Sequence, residues 1–304
     1  MGSKFKIRNI ELYVMLIPGL VWVVIYKFMP LYGLTIAFKD FQLFLGRNIL
    51  EAIQKSPWIG FDNFENLLHQ SEFVRALRNT LLISAYKVIF LFPLPIILAI
   101  LLNEIRTVVF KRTIQTLIYL PHFMSWIVVF GIFYTVFGGS GLVNQFLGVF
   151  GVDPIPFFMS NALFRPLLIV SDGWKEVGWG TIVYLAAITS IDMEQYEAAE
   201  LDGAGRFRKM LSITLPSMIP IITLMLILRL GSMLEAGFGQ VLAMYNPSVY
   251  EVADIIQTYV YRIGLGQLNF SLATTLGLFE SITGFILVVC GNYVCRKWLN
   301  RSLW

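Results

Sequence analysis

Charged residues are scarce in this sequence. Asp, Glu, Lys and Arg make up 14% of the 304 residues and apolar residues make up 57%, whereas a soluble domain averages about 25% charged residues. The mean hydropathy is +0.71. This composition excludes an ordinary soluble domain, and it predicts an all-α integral protein of the lipid bilayer.

Cysteine and histidine are almost absent. The two cysteines, Cys290 and Cys295, lie five positions apart in one apolar segment, so on a helix they point in different directions and cannot form a disulfide. Only His69 and His122 accompany them, which is too few for a set of metal ligands. No basic cluster with interleaved aromatic residues stands clear of the apolar runs, so the net charge of +4 does not indicate a nucleic-acid partner.

Motifs for nucleotide binding and catalysis are also missing. The chain contains no GxxxxGK[ST] sequence and therefore no phosphate cradle of its own. It contains neither HExxH nor a recognisable Ser/His/Asp arrangement. We therefore expect a chain that is not an enzyme and has no cofactor; if it moves a solute uphill, a separate polypeptide must bind ATP.

What the sequence does contain is six apolar runs long enough to cross a bilayer. They cover approximately residues 12–38, 77–102, 113–137, 164–189, 216–238 and 270–294. No unit of 20 to 50 residues recurs, so the sequence predicts one transmembrane domain over residues 1–304 rather than a repeat array.

Lys and Arg are distributed unevenly among the connecting segments. Three lie in each of the N-terminal tail, the loop at 103–112, the segment 190–215 and the C-terminal tail, including Lys4, Lys6, Arg8, Arg296, Lys297 and Arg301. The loops at 138–163 and 239–268 carry only Arg262. By the positive-inside rule, both termini and the segment 190–215 are predicted to be cytoplasmic.

The segment 190–215 separates the fourth and fifth runs and carries a charge gradient. Acidic residues come first, bases come last, and Gly203 and Gly205 lie between them: Asp192, Glu194, Glu197, Glu200 and Asp202, then Arg206, Arg208 and Lys209. Acids near a helix start and bases near a helix end suit the helix dipole. Since glycine adopts a positive φ readily, the pattern predicts a helix, a bend and a second helix.

The same segment carries a spaced motif. Glu197-Ala198-Ala199 is followed after three residues by Gly203 and, after nine more, by Ile213-x-Leu215-Pro216. This resembles the EAA loop of ABC importer permeases without a gap. The sequences at 26–41 and 110–126 also resemble those of permeases that import complex oligosaccharides.

The resemblance implies a coupling helix between the fourth and fifth spans, which docks into a cleft of an ATP-hydrolysing subunit. The residues that match the motif or lie beside it are Glu197, Ala198, Ala199, Asp202, Gly203, Ala204, Ile213, Leu215 and Pro216. It further implies a multi-pass subunit of a bacterial plasma membrane, paired as a heterodimer with a second, similar permease. Two ATP-binding subunits would hold ATP and Mg, and an extracellular binding lipoprotein would deliver an oligosaccharide.

Ionisable and aromatic residues within the spans are candidates for the substrate path. Such groups face a cavity or a charged partner, and both readings remain open for each. The candidates are Trp174, Lys175, Glu176, Trp179, Arg229, Glu235, Lys87 and Trp126. The cluster at 174–179 is the strongest, because sugar rings stack on indole faces while Lys and Glu reach hydroxyl groups. His122 alone in a span is more typical of a packed structural residue.

Two other functions remain compatible with the residues. A permease for another solute, such as a peptide or an amino acid, carries the same coupling motif. A polytopic membrane enzyme, such as a glycosyl or lipid transferase, has the same general hydropathy. The oligosaccharide permease is the leading interpretation.

Overall fold

The structure is a computed structural model that describes residues 10–299. The tail residues Lys4, Lys6, Arg8 and Arg301 lie outside this range. Residues 10–299 contain no β-strand, and one isolated antiparallel bridge joins Lys39 to Trp58. The prediction of an all-α protein is confirmed for this part of the chain.

Sixteen α-helices are formed by the described residues. In chain order they are α1 Ile10–Val23, α2 Ile49–Lys55, α3 Asp62–His69, α4 Ser71–Tyr86, α5 Pro93–Glu104, α6 Val108–Tyr119, α7 Trp126–Phe137, α8 Leu142–Val149, α9 Asn161–Thr189, α10 Met193–Leu201, α11 Arg206–Lys209, α12 Leu215–Gly231, α13 Phe238–Met244, α14 Tyr250–Ala253, α15 Ile256–Tyr261 and α16 Phe270–Leu299. Segments of 3₁₀ helix cover Met29–Phe38, Leu43–Leu45, Leu120–Phe123, Met233–Glu235 and Pro247–Val249. Turns of π helix cover Val24–Phe28, Lys87–Leu91, Met210–Thr214 and Arg262–Gly266.

Five helical stretches in residues 10–299 are long and apolar enough to cross a membrane: Tyr13–Phe38, Ser71–Glu104, Trp126–Val149, Arg206–Gly231 and Phe270–Lys297. Helix α9 is not among them. At 29 residues it is about 43 Å long, which exceeds the hydrocarbon core of about 30 Å. Helix α9 is long enough to cross a membrane but is not apolar enough, because Asp172, Lys175 and Glu176 lie near its middle.

The segment predicted as the third span, residues 113–137, is not one continuous helix. α6 ends at Tyr119, a 3₁₀ turn follows, and the chain is extended at Met124 and Ser125 before α7 begins. Pro121 lacks the N–H that a continuing helix requires at that position. The side chain of Ser125 then caps α7 by accepting a hydrogen bond from the Val128 N–H at 3.3 Å.

The segment predicted as the fifth span, residues 216–238, also differs. The helix already starts at Arg206, continues through the π turn into α12, and ends at Gly231. Beyond it the backbone turns sharply, because Ala236 and Gly237 adopt left-handed φ values of +47° and +82°. A left-handed alanine is strained. The break at 232–237 therefore separates α12 from α13 and holds its geometry through surrounding contacts.

The chain divides into two compact units, one formed by residues up to Gln70 with Val260–Phe279 and the other by Ser71–Tyr259 with the chain from Glu280. In the first unit, Trp58 stacks on Phe38 at 5.6 Å between ring centroids. The carbonyl oxygen of Ala37 accepts hydrogen bonds from Asn63 and Thr275.

The second unit is organised around α9. This helix packs along α5 and α6, and its apolar face joins a core that contains Ala99, Tyr184 and Met218. At Gly178 the backbone of α6 comes so close that an added Cβ would lie 1.9 Å from the carbonyl oxygen of Ile118. Only glycine allows this approach. The position therefore fixes the distance between α9 and α6.

Candidate functional site

The segment with the EAA motif forms the predicted helix, bend and helix. The Asp192 side chain caps α10 by accepting from the Glu194 N–H at 3.0 Å. Gly203 then adopts a φ of +73°, as predicted, and the Ala204 N–H donates to the Ala199 carbonyl at 2.8 Å. This hydrogen bond closes the end of the helix in the manner of a left-handed C-cap.

This segment presents apolar side chains to its surroundings. Leu201 on α10 is 91% exposed, and Phe207 on α11 is 70% exposed. Glu197 and Ala198 on α10 are also exposed. Exposed large apolar groups beside charges are typical of a docking surface. The motif residues at the other end, Ile213 and Leu215, are half-buried at the start of α12.

Three side-chain contacts involve this segment, two within it and one to α5. The Tyr196 hydroxyl lies 2.8 Å from the buried hydroxyl of Thr214. Lys209 pairs with Glu200 and holds the pKa of that carboxyl below its usual range. Arg206 lies 4.0 Å from Glu104 at the end of α5. These contacts join α10 to α11 and to the turn before α12, and α11 to α5.

The second group of predicted residues surrounds His122. Lys175 is buried, and its Nζ donates to the His122 carbonyl at 2.6 Å and lies 2.9 Å from Glu176 Oε1. The other oxygen of Glu176 is 2.7 Å from His122 Nδ1. Lys175 Nζ also lies over the Trp126 ring, 5.3 Å from its centroid, in cation–π geometry.

Trp174 and Trp179 occupy different environments although both lie on α9. Trp179 stacks on His122, whereas Trp174 packs edge-on against Phe133 with centroids 5.8 Å apart. Five residues correspond to a rotation of about 140° around a helix of 3.6 residues per turn. The two indoles therefore cannot serve one sugar ring together.

A third group links α4–α5, α9, α12 and α13. Lys87, in the π turn, is 3% exposed. Its Nζ donates to Gln240 Oε1 at 2.6 Å and lies 3.5 Å from Asp172 Oδ1. Arg229 Nη2 lies 3.8 Å from the other oxygen of Asp172. Gln240 is fixed by donating to Ser171 at 2.7 Å.

These groups border three cavities in the second unit. The large cavity, about 490 Å³, is lined by Leu91, Phe92, Pro95, Trp126, Asp172, Glu176, Val177, Trp179, Gly180, Val183, Tyr184, Met225, Arg229 and Gly237. The small cavity, about 110 Å³, adjoins Lys87, Asp172, Arg229 and Glu235. The acidic cavity, about 400 Å³, adjoins Glu235 and Glu280, and Gln257 donates to Glu280 at 2.9 Å.

The predicted path residues are therefore only partly brought together. Trp126, Glu176, Trp179 and Arg229 line the large cavity. Lys175 lies buried beside it, Lys87 and Glu235 border the small cavity, and Trp174 lines none of the three.

Three residues of this region were not among the sequence-based candidates: His122, Asp172 and Gln240. Asp172 carries a signal that the sequence offers, since an intramembrane carboxylate needs a partner. For Gln240 the sequence holds no comparable signal.

In residues 10–299, a polar cavity lies among apolar helices and an exposed charged helix lies between two of them, an arrangement typical of a membrane transport subunit. The chain belongs to the family of binding-protein-dependent transport system inner membrane components, whose profile matches residues 92–299. It is thus a multi-pass membrane permease of the ABC importer class, and the resemblance stated from the EAA motif is confirmed.

Similar proteins cover nearly the whole chain. Protein LplB of Bacillus subtilis is 46% identical over 97% of this chain and 92% of its own length. The polygalacturonan/rhamnogalacturonan transport system permease protein YteP of the same organism is 44% identical over 98% of this chain and 91% of its own.

A solved structure is also similar. A chain of a bacterial ABC transporter involved in the import of the acidic polysaccharide alginate is 40% identical, covers 96% of both chains and gives a TM-score of 0.87. The alginate transporter has also been solved in complex with an alginate pentasaccharide-bound periplasmic protein, and a chain of that complex is 38% identical with a TM-score of 0.87.

Proposed function

We propose that this chain is one permease subunit of an ATP-driven importer that moves an oligosaccharide into the bacterial cell. The observation that carries the proposal is the exposed helix α10 with its left-handed turn at Gly203, placed between two long helices. An exposed helix with Leu201 and Phe207 uncovered fits a coupling element that seats in another subunit.

The proposed topology has six spans with cytoplasmic termini. Five are the long apolar stretches, and the sixth is α9, whose central charges face partners inside the bundle rather than lipid. Asp172 and Lys175 are 6% and 5% exposed, which fits a span that hides its ionisable groups. The Lys and Arg distribution along the chain supports a cytoplasmic position for α10.

The proposed assembly contains a second, similar permease, two subunits that bind ATP and Mg, and an extracellular substrate-binding lipoprotein. The chain itself has no phosphate-binding motif, so ATP must act from outside it. ATP-driven closure of the partner subunits would move α10, and the contacts of Tyr196 and Lys209 would pass that movement to α12.

The large cavity supports an oligosaccharide as the cargo. It combines the indoles of Trp126 and Trp179 with the carboxylates of Asp172 and Glu176, and aromatic faces with a few polar groups are the usual lining of ligand sites. Relatives named for polygalacturonan and alginate transport favour the same substrate class. A peptide or amino acid remains the second candidate, while family membership argues against a transferase.

The proposal is tested by reconstitution. The purified chain alone should form no active transporter, because its polar cavity requires a second permease to close it. Co-expression with the partner subunits should yield a complex that imports oligosaccharide into liposomes only with ATP and with the loaded binding protein. Uptake by the chain alone, or peptide uptake without sugar uptake, would contradict the proposal.

A further inference from the structure

Asp172 lies between two basic side chains. Its carboxylate lies 3.5 Å from Lys87 and 3.8 Å from Arg229, and within the described chain neither cation has another carboxylate within 4.0 Å. Lys175, by contrast, has its own partner in Glu176 at 2.9 Å. Within 4.0 Å, therefore, one carboxylate faces two basic side chains in the Lys87–Asp172–Arg229 group.

Lys87 and Arg229 differ in their exposure and in whether their donors have hydrogen-bond acceptors. The side chain of Lys87 is 4% exposed and donates to Gln240 at 2.6 Å. The side chain of Arg229 is 44% exposed, and its Nη2 lies 3.8 Å from Asp172 Oδ2, which is too long for a hydrogen bond. The guanidinium therefore keeps its donors available, and it lines both the large and the small cavity.

Two further carboxylates, Glu176 and Glu235, lie around these cavities. Glu176 lines the large cavity but is held by Lys175 and His122. Glu235 borders the small and acidic cavities and not the large one. The basic residue in the lining of the large cavity is Arg229, and the two carboxylates that line it, Asp172 and Glu176, already face basic side chains. An anionic group that enters this cavity therefore meets the guanidinium of Arg229.

We propose that Arg229 binds a carboxylate of the cargo and that the permease selects acidic, uronate-bearing oligosaccharides. The planar guanidinium matches a carboxylate through two parallel hydrogen bonds. The long contact to Asp172 orients the guanidinium without occupying its donors. A neutral sugar offers the guanidinium no such charged partner.

The inference rests on the proposed import of oligosaccharides and adds the charge of the cargo. Its test uses the complete complex in liposomes with two probes on the same sugar backbone: trigalacturonate and its fully methyl-esterified form. The binding protein is loaded with each probe at saturation, so that differences arise in the permease. The variants are Arg229→Gln, Arg229→Lys and, as a matched control, Arg112→Gln, because Arg112 is exposed in the segment before the third span.

In the Arg229→Gln complex, the initial rate of trigalacturonate uptake at limiting loaded binding protein should fall about tenfold or more, and uptake of the ester should change less than about threefold. The rate of trigalacturonate uptake by the Arg229→Lys complex should lie between those of Arg229→Gln and the wild type, because lysine keeps the charge and loses the planar guanidinium. Arg112→Gln should match the wild type, and gel filtration should show intact complexes throughout.

Equal losses for both probes would overturn the inference and would assign Arg229 a structural role. Retained trigalacturonate uptake in Arg229→Gln would also overturn it. A wild-type complex that imports neutral oligosaccharides but not trigalacturonate overturns the acidic cargo while the proposed function stands. A wild-type complex that imports no oligosaccharide overturns both.

Discussion

The imidazole of His122 lies flat against the indole of Trp179, with ring centroids 4.3 Å apart and ring planes 2° apart. Glu176 contacts the same imidazole at Nδ1, and Phe123 packs edge-on against the indole with centroids 5.5 Å apart. Trp179 is thereby held in one orientation where it lines the large cavity. A fixed aromatic surface of this kind binds a sugar ring without first losing side-chain freedom.

Trp179→Ala should lower oligosaccharide uptake at limiting substrate. Loss of an aromatic ligand contact costs about 1 to 3 kcal/mol, which corresponds to roughly a 5- to 150-fold loss of apparent affinity. The measurement is the concentration dependence of uptake in the reconstituted complex.

Trp174→Ala is the matched control for this prediction, because Trp174 lies on the same helix and packs on Phe133 away from the large cavity. It should affect uptake much less than Trp179→Ala. An equal effect of the two substitutions would contradict the prediction that Trp179 contacts the sugar in the large cavity.

The sequence predicted the helical class and the turn at Gly203 because both depend on local features. Apolar length indicates a span, and glycine between an acidic and a basic stretch indicates a bend. The break at 232–237 was not predictable in this way: Ala236 is left-handed only because the surrounding contacts hold it there.

The candidate site was only partly predicted, because only some of its features depend on local sequence. The cluster at 174–179 stands out because charges are rare within apolar runs. Which residues of the cluster share a cavity depends on helix rotation and packing, and so Trp174 and Trp179 separate in the structure. His122 joins them only because α9 passes beside the turn at 120–123, a contact between positions 54 residues apart.

Gly178→Ala should destabilise the permease. The added Cβ would meet the Ile118 carbonyl at 1.9 Å, so α6 and α9 must separate, and overpacking of this kind costs about 1 to 3 kcal/mol.

Gly131→Ala is the control, since nothing lies within 4 Å of a Cβ at that position in α7. Thermal unfolding of the detergent-solubilised complex should show a lower midpoint for Gly178→Ala and an unchanged or higher one for Gly131→Ala. A midpoint for Gly178→Ala equal to that of the wild type would contradict the close packing.

Tyr196→Phe should weaken coupling between α10 and α12. It removes the hydroxyl that lies 2.8 Å from Thr214 and leaves the buried Thr214 hydroxyl without that partner, at a cost of about 1 to 3 kcal/mol. The stimulated ATPase rate should fall while basal ATPase and complex assembly remain.

The double variant Tyr196→Phe with Thr214→Val controls for the unpaired hydroxyl. Because both polar groups are removed, it should recover part of the stability lost in the single variant. The single variant Thr214→Val completes the cycle. If the stability losses of the two single variants add up to the loss of the double variant, the two hydroxyls do not interact.

Gly203→Ala should impair ATP-driven uptake while the membrane bundle stays assembled. A Cβ at this position has open space, with nothing within 4 Å, so the effect must come from the backbone. At a φ of +73° an L-residue is strained by about 1 to 2 kcal/mol, which shifts the turn population by roughly 5- to 30-fold. The orientation of α10 toward its partner subunit changes accordingly.

Gly203→Asn should retain more activity, since asparagine tolerates the left-handed region. Gly205→Ala is the matched control, because Gly205 has an ordinary φ of −69° and equally open surroundings. The measurement is uptake and binding-protein-stimulated ATPase activity, with assembly followed by gel filtration. Equal activity of Gly203→Ala and Gly205→Ala would show that the left-handed turn is not needed for coupling, because the two variants differ mainly in that backbone conformation.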